Sequence, residues 1–392
     1  MKKSANRVDR INPALQVGFR PFFLCASAFA AVAMVLWGLL YFGVLPARGQ
    51  PLPASYWHAH VMIYGYAMAV VAGFLLTAVS NWTGRKTTSG GRLLLVAGLW
   101  LGARIAWLPG LGAWQVAALL DGLFSVSLLL GILPPVIRAR QWRQMAVLSK
   151  VILLMVGNAC CYLAIAGIFP FGLHIGIYGG FFLLIGLVMT LARRVIPFFI
   201  ESALPDARKP RNSRVLDISS LILFLVLFIN EIFLQQALLS SVSAMLLFLV
   251  NAIRLLGWHV PGIWGNSMLW SLYLSQWMIA VGFLLLVGRD HLGYPASLAI
   301  HAMSVGGIGL VTSGMMARVA LGHTGRPVNS PPPGVGMVFL LIVISALARV
   351  AMPALWPEAI DAWITLSLVA WTTAFILFFL VYRPILIGPR VN

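Results

Sequence analysis

WHAHVMIYGYAMAVVAGFLLTAVSNWTGR, residues 57–85, is the stretch that decides the fold. It opens with His58 and His60, crosses an uncharged apolar run, and closes on the basic turn Asn81-Trp82-Thr83-Gly84-Arg85. A helix over 57–80 rises far enough to cross a hydrocarbon core of about 30 Å. Histidine is costly in hydrocarbon and is a common metal ligand, so a histidine pair at one end of such a span marks a candidate site.

The rest of the chain is built of similar runs. Of 392 residues, 61% are hydrophobic and 9% charged, which excludes an ordinary soluble globule. Twelve apolar runs are expected to span, at 20–45, 57–80, 91–108, 112–137, 147–169, 172–199, 215–237, 239–256, 262–288, 293–319, 334–352 and 358–384. The expected fold is an all-α polytopic membrane protein, a single transmembrane domain over 1–392. The first run follows a basic segment and reads as a retained helix rather than a cleaved signal.

The formal charge of +18 is a topology signal. With twelve spans, 23 Lys and Arg fall at the termini and even-numbered loops, and three (Arg48, Arg289 and Arg349) on the opposite side. This asymmetry places both termini in the cytoplasm and argues for basic loops facing anionic lipid, not nucleic acid. Cys25, Cys160 and Cys161 all fall inside spans, make no CxxC pattern, and read as small buried hydrophobes.

Spans 2 and 10 repeat one another. His60 precedes Thr83 by 23 residues, and His301 precedes Thr324 by 23. In that register Met62 meets Met303, Gly65 meets Gly306, Gly73 meets Gly314, and Thr83-Gly84-Arg85 meets Thr324-Gly325-Arg326. Span 6 joins more weakly, His174-Ile-Gly-Ile-Tyr-Gly179 reading against His60-Val-Met-Ile-Tyr-Gly65. Three pseudo-repeated four-helix units are the expectation, each offering a histidine in the outer half of the bilayer. Heme iron and copper both take neutral imidazole, and Gly65, Gly73, Gly306, Gly307, Gly309 and Gly314 offer small surfaces beside a porphyrin, or else ordinary helix packing.

His58 and His60 lie about 200° apart around a helix, so they serve two centres or His58 is interfacial while His60 points inward. Arg104 and Asp121 flank the Leu108-Pro109-Gly110-Leu111-Gly112 hairpin. They read either as a structural ion pair or, more sharply, with Arg104 holding an anionic group of a cofactor such as a heme propionate. Arg20 is expected at headgroup depth, and Glu231 at an interface or on a proton path.

GFRPFFL at 18–24, WHAH at 57–60, GFLLTAVSNWTGR at 73–85, LWLGARIA at 99–106 and MMARVALGHTGR at 315–326 resemble the NnrS family. Its members are polytopic bacterial inner-membrane proteins of the nitric-oxide response, regarded as holding heme and copper. The arrangement of histidines on spans 2, 6 and 10 is also similar, in architecture alone, to heme–copper oxidase and nitric-oxide reductase catalytic subunits. Family members typically read WHAHEM where this chain has Val61, a histidine near Tyr162 in span 5, and one at Tyr273 in span 9.

The resemblance implies a b-type heme with His60 and His301 as axial ligands, and a second metal site, copper, drawing on His58 and His174. It further implies nitric oxide or a nitrosylated iron complex as ligand and a quinol or periplasmic protein as electron donor. Two other readings stand beside this one. The first is a transporter of a metal or of an NO-derived iron complex; the second is a cofactor-poor scaffold for an oxidoreductase.

Overall fold

A computed structural model describes residues 12–46 and 51–391. Arg48 and the N-terminal Lys2, Lys3, Arg7 and Arg10, all part of the charge asymmetry, lie outside the described residues. The described chain is helical and contains no strand. Its twelve long helices are α1 Phe19–Tyr41, α2 Ala54–Thr83, α3 Gly91–Ala106, α4 Trp114–Arg138, α5 Trp142–Ile165, α6 Gly172–Ala203, α7 Arg214–Leu234, α8 Ala237–Trp258, α9 Ser267–Leu292, α10 Ala296–His323, α11 Val335–Leu355 and α12 Pro357–Ile387. Each coincides with one expected run. Eleven are long and apolar enough to cross a membrane; α3, at 16 residues, is the short one. This is an all-α, multi-pass membrane protein.

Contacts divide the chain into two compact units. The first comprises Met1–Gly180, Met316–Val328 and Phe375–Asn392; the second comprises Phe181–Met315 and Asn329–Ala374. In the first unit, Arg20 is buried within the protein. Its Nη1 donates to the carbonyls of Leu386 (3.1 Å) and Gly388 (2.5 Å). The last turn of a helix leaves carbonyls without intrahelical partners, and here the guanidinium of α1 caps the end of α12. The two Thr-Gly-Arg turns share one geometry. Thr83 Oγ1 donates to the Val79 carbonyl and Thr324 Oγ1 to that of Ala320, both at 2.7 Å. Gly84 (φ 64°) and Gly325 (φ 77°) then enter the left-handed region and stop their helices.

In the second unit Ala192, Ile196 and Ile200 of α6, Leu255 and Trp258 of α8, and Leu269, Leu272 and Tyr273 of α9 form one buried cluster. At one end of this unit Arg289 lies in the last turn of α9 and not in a loop. It bonds Glu231 of α7 through Nη1 (2.8 Å) and Nη2 (3.0 Å), and its neighbour Asp290 through Nε (2.6 Å). Glu231 is therefore one arm of an ion-pair cluster. At another site Arg254 of α8 bonds Asp217 of α7 (3.2 Å) and Asn251 (2.7 Å).

Candidate functional site

All three helices that carry a repeat histidine leave α-geometry directly after it. The π-helical segments are Val61–Ala67 after His60, Ile175–Gly179 after His174 and Ala302–Gly309 after His301. A fourth, Asn230–Leu234, ends α7 without a histidine. A π-turn lengthens the hydrogen-bond ring by one residue and releases carbonyls to other donors, and such turns are frequent at functional sites. Here the released carbonyls are used. Trp100 Nε1 donates to the Gly65 carbonyl (3.1 Å), and the Tyr64 hydroxyl donates to that of Gly176 (2.6 Å). Gly157 and Gly180 leave room for the Tyr64 hydroxyl, because a Cβ at either would run into it.

In the first unit His60 is the buried histidine, with 0% exposure. Its Nε2 lies 2.8 Å from Asn158 Oδ1 on α5. An amide oxygen only accepts, so Nε2 carries the hydrogen and the lone pair sits on Nδ1. That Nδ1 is buried and has no hydrogen-bond partner. The rings of Trp107 (5.0 Å between centroids), Tyr64 (5.2 Å) and Tyr162 (5.4 Å) enclose the imidazole and exclude water. Val61, standing where the resemblance puts an acid, is a buried apolar residue in the cluster around Trp57 and Trp107.

Next to His60 is a buried polar relay. Arg104 Nη2 pairs with Asp121 Oδ1, both side chains 2% exposed, and the Tyr162 hydroxyl donates to Asp121 Oδ2 (2.7 Å). The ion pair expected across the α3–α4 hairpin is thus formed. Tyr162, at the position where the resemblance has a histidine, is placed against His60 itself. Arg104 lies over the π-segment of α2, since a Cβ on Gly65 would come within 3.2 Å of its Cδ and Nη1. Its Nε and Nη1, and Trp107 Nε1, are buried without partners.

The other predicted ligands sit differently. His58 is half-buried and stacks on Trp37 (4.7 Å, 24°), and His174 stacks against Phe171 (5.3 Å) and Tyr178 (4.8 Å). In the second unit His301 donates from Nδ1 to the Ser297 carbonyl one turn back (2.6 Å). That bond leaves Nε2 as its lone-pair nitrogen, the orientation usual for a metal-ligating histidine. His323 contacts Asn81 Nδ2 (3.5 Å) and Phe19, while His259 accepts from Trp264 Nε1 (3.1 Å). Tyr273 donates to the Leu255 carbonyl (3.0 Å) and packs beside His259.

Among the described residues no three His, Cys, Asp or Glu side chains come together as a ready ligand set. The six glycines offered as porphyrin surfaces are filled by packing. Gly65 meets Phe29 and Arg104, Gly73 meets Phe22 and Phe23, and Gly306 meets Met278. Gly307 meets Ile279, Gly309 meets Trp371, and Gly314 meets Leu272. Small residues are doing here what they commonly do between membrane helices, which is to let neighbours approach.

The family model for NnrS protein matches residues 13–390, which is nearly the whole chain. The chain belongs to the NnrS family. No curated protein matches it. Within this NnrS-family fold, sequence reasoning found His60, Arg104 and Asp121 but missed Asn158, Trp107 and Tyr64, which set the environment of the imidazole. Tyr64 had a signal in the sequence, because His-x-x-x-Tyr-Gly occurs in both span 2 and span 6.

Proposed function

We propose that this chain is a heme-binding inner-membrane protein acting in the nitric-oxide and nitrosative-stress response. The observation that carries the reading is His60, which is fully buried, holds Asn158 through Nε2 and keeps an uncommitted lone pair on Nδ1. A dry, neutral imidazole fixed through one nitrogen is the donor that a metal needs, so the residues fit a ligand role at this atom. They do not fit a macrocycle seated on the six glycines, whose neighbours already fill that space. His301 is the second proposed axial ligand, and Arg104 is the proposed partner of an anionic group of the cofactor. His58 and His174 are the proposed ligands of a copper centre.

When bound, the iron supplies one-electron chemistry and an affinity for nitric oxide. The chain's own residues do the rest. Asn158 fixes the His60 ring and its tautomer, Trp107, Tyr64 and Tyr162 keep water away, and Arg104, Asp121 and Tyr162 hold fixed charge and a proton beside the ring. Nitric oxide or a nitrosylated iron complex is the proposed ligand, with a quinol or periplasmic protein as electron donor. The charge asymmetry supports cytoplasmic termini and a site near the outer face.

The test is physiological. A strain lacking the protein, challenged with a nitric-oxide donor, should be restored by wild type and not by His60→Ala expressed at the same level. Equal restoration by both would contradict the reading.

A further inference from the structure

A buried charge normally has an opposite charge beside it, because a carbonyl satisfies a hydrogen but neutralises nothing. One end of the first unit departs from this. There the start of α1, the Thr324-Gly325-Arg326 turn and the end of α12 meet. Arg20, 2% exposed, donates only to the Leu386 and Gly388 carbonyls. The Val391 N–H donates to the Thr324 carbonyl (2.9 Å), and a Cβ on Gly325 would run into the Val391 carbonyl and lie 3.5 Å from Arg390 Cγ. Arg390 therefore passes beside the turn that carries Arg326. Arg326 in turn lies close enough to Arg20 for the two charges to repel.

This cluster has no acid. Asp121 is the only carboxylate among the described residues of the unit, and Arg104 takes it at the α3–α4 hairpin. Arg326 Nη1 has no hydrogen-bond partner. Arg326 is nevertheless part-exposed, and Arg383 and Arg390 are exposed, so an anion can approach from outside. The neighbouring surface indicates which anion. Ile376, Leu380, Arg383 and Ile387 of α12 are all exposed and stand at i, i+4, i+7 and i+11, which lays them on one helix face. On a spanning helix such an aliphatic stripe faces acyl chains, and its one arginine lies about 6 Å, roughly one turn, before the helix end.

We propose that Arg326, Arg383 and Arg390 bind the headgroup phosphate of an anionic phospholipid whose acyl chain lies along Ile376 and Leu380, and that this lipid balances the charge of Arg20. Basic pockets at the ends of membrane helices recognise anionic headgroups in this way, and arginine suits a phosphate. The site is a defined one, distinct from the general attraction of basic loops for anionic lipid. It does not depend on a metal at His60.

The test is native mass spectrometry of the delipidated full-length protein in a non-ionic detergent, titrated with dioleoyl phosphatidylglycerol or dioleoyl phosphatidylcholine. Wild type should retain phosphatidylglycerol in preference, with one site tighter than the rest. The triple variant Arg326→Gln/Arg383→Gln/Arg390→Gln should bind it more weakly, by about fivefold for each charge removed. A charge-matched control, Arg138→Gln/Arg140→Gln/Arg143→Gln, removes three exposed arginines of the α4–α5 connection and should keep the tight site. Phosphatidylglycerol should also raise the melting temperature of wild type and of the control more than that of the cluster variant. No preference for phosphatidylglycerol in wild type, or equal losses in both triple variants, would overturn the proposal. So would full displacement of the lipid by inorganic phosphate at millimolar concentration, which would make the ligand a free anion.

Discussion

Replacing Asn158 with leucine tests the assignment of the two nitrogens of His60. The change is close in volume and removes the one acceptor that Nε2 has, 2.8 Å away in a site with no solvent exposure. A buried donor left without its acceptor costs about 1–3 kcal/mol, which is roughly a 5- to 150-fold change in the unfolding equilibrium. Removing both partners is cheaper, because two apolar side chains of similar shape leave nothing unpaired. The double variant His60→Leu/Asn158→Leu should therefore be more stable than the sum of its single variants by about 1–3 kcal/mol. Denaturant titration of the four proteins in matched micelles gives that coupling. Nitrogen-15 spectra of histidine-labelled wild type should show hydrogen on Nε2 of His60, and Asn158→Leu should lose that fixed tautomer. Additive single-variant effects, or hydrogen found on Nδ1 in wild type, would refute the argument.

Three further outcomes follow from the same geometry. Arg104→Met and Asp121→Leu should each destabilise by about 3–5 kcal/mol, while the double variant, with no buried charge left unpaired, should lie much nearer wild type. Denaturant midpoints in detergent check this. Gly180→Ala, which drives a methyl into the Tyr64 hydroxyl, should cost about 1–3 kcal/mol, and Tyr64→Phe should relieve most of that cost when combined with it. Tyr162→His returns an imidazole to a ring position 5.4 Å from His60 and should raise the metal retained per protein, read by elemental analysis.

The spans were legible because hydrocarbon thickness imposes a length on each apolar run, and all twelve expected runs have their helix. The Arg104–Asp121 pair was legible for a similar reason, since a tight hairpin puts the two residues at matching depth. The π-segments were not. A π-turn changes hydrogen-bond register without changing hydropathy, and Asn230–Leu234 shows that glycine is not required for one. Asn158 could not be seen either. It is 98 residues from His60 in sequence, and only the packing of α5 against α2 turns a lone membrane asparagine into a histidine's partner. Arg289 was misread as a loop charge because α9 continues past its apolar stretch into a turn held by Glu231 and Asp290. The glycines left two readings open, since small size marks both a ligand-facing surface and a tight helix contact, and the structure shows the helix-contact reading, with neighbours filling the space.

The central claim is that His60 is a metal ligand acting through its uncommitted Nδ1. It is tested most directly by the absorption spectrum and pyridine hemochrome of purified wild type, His60→Ala and His301→Ala, with iron and copper measured on the same samples. The account predicts a Soret band and a b-type hemochrome in wild type, and in each variant a shifted band or loss of iron. A wild type without a Soret band and without bound iron, or a band that His60→Ala leaves unchanged, would contradict it.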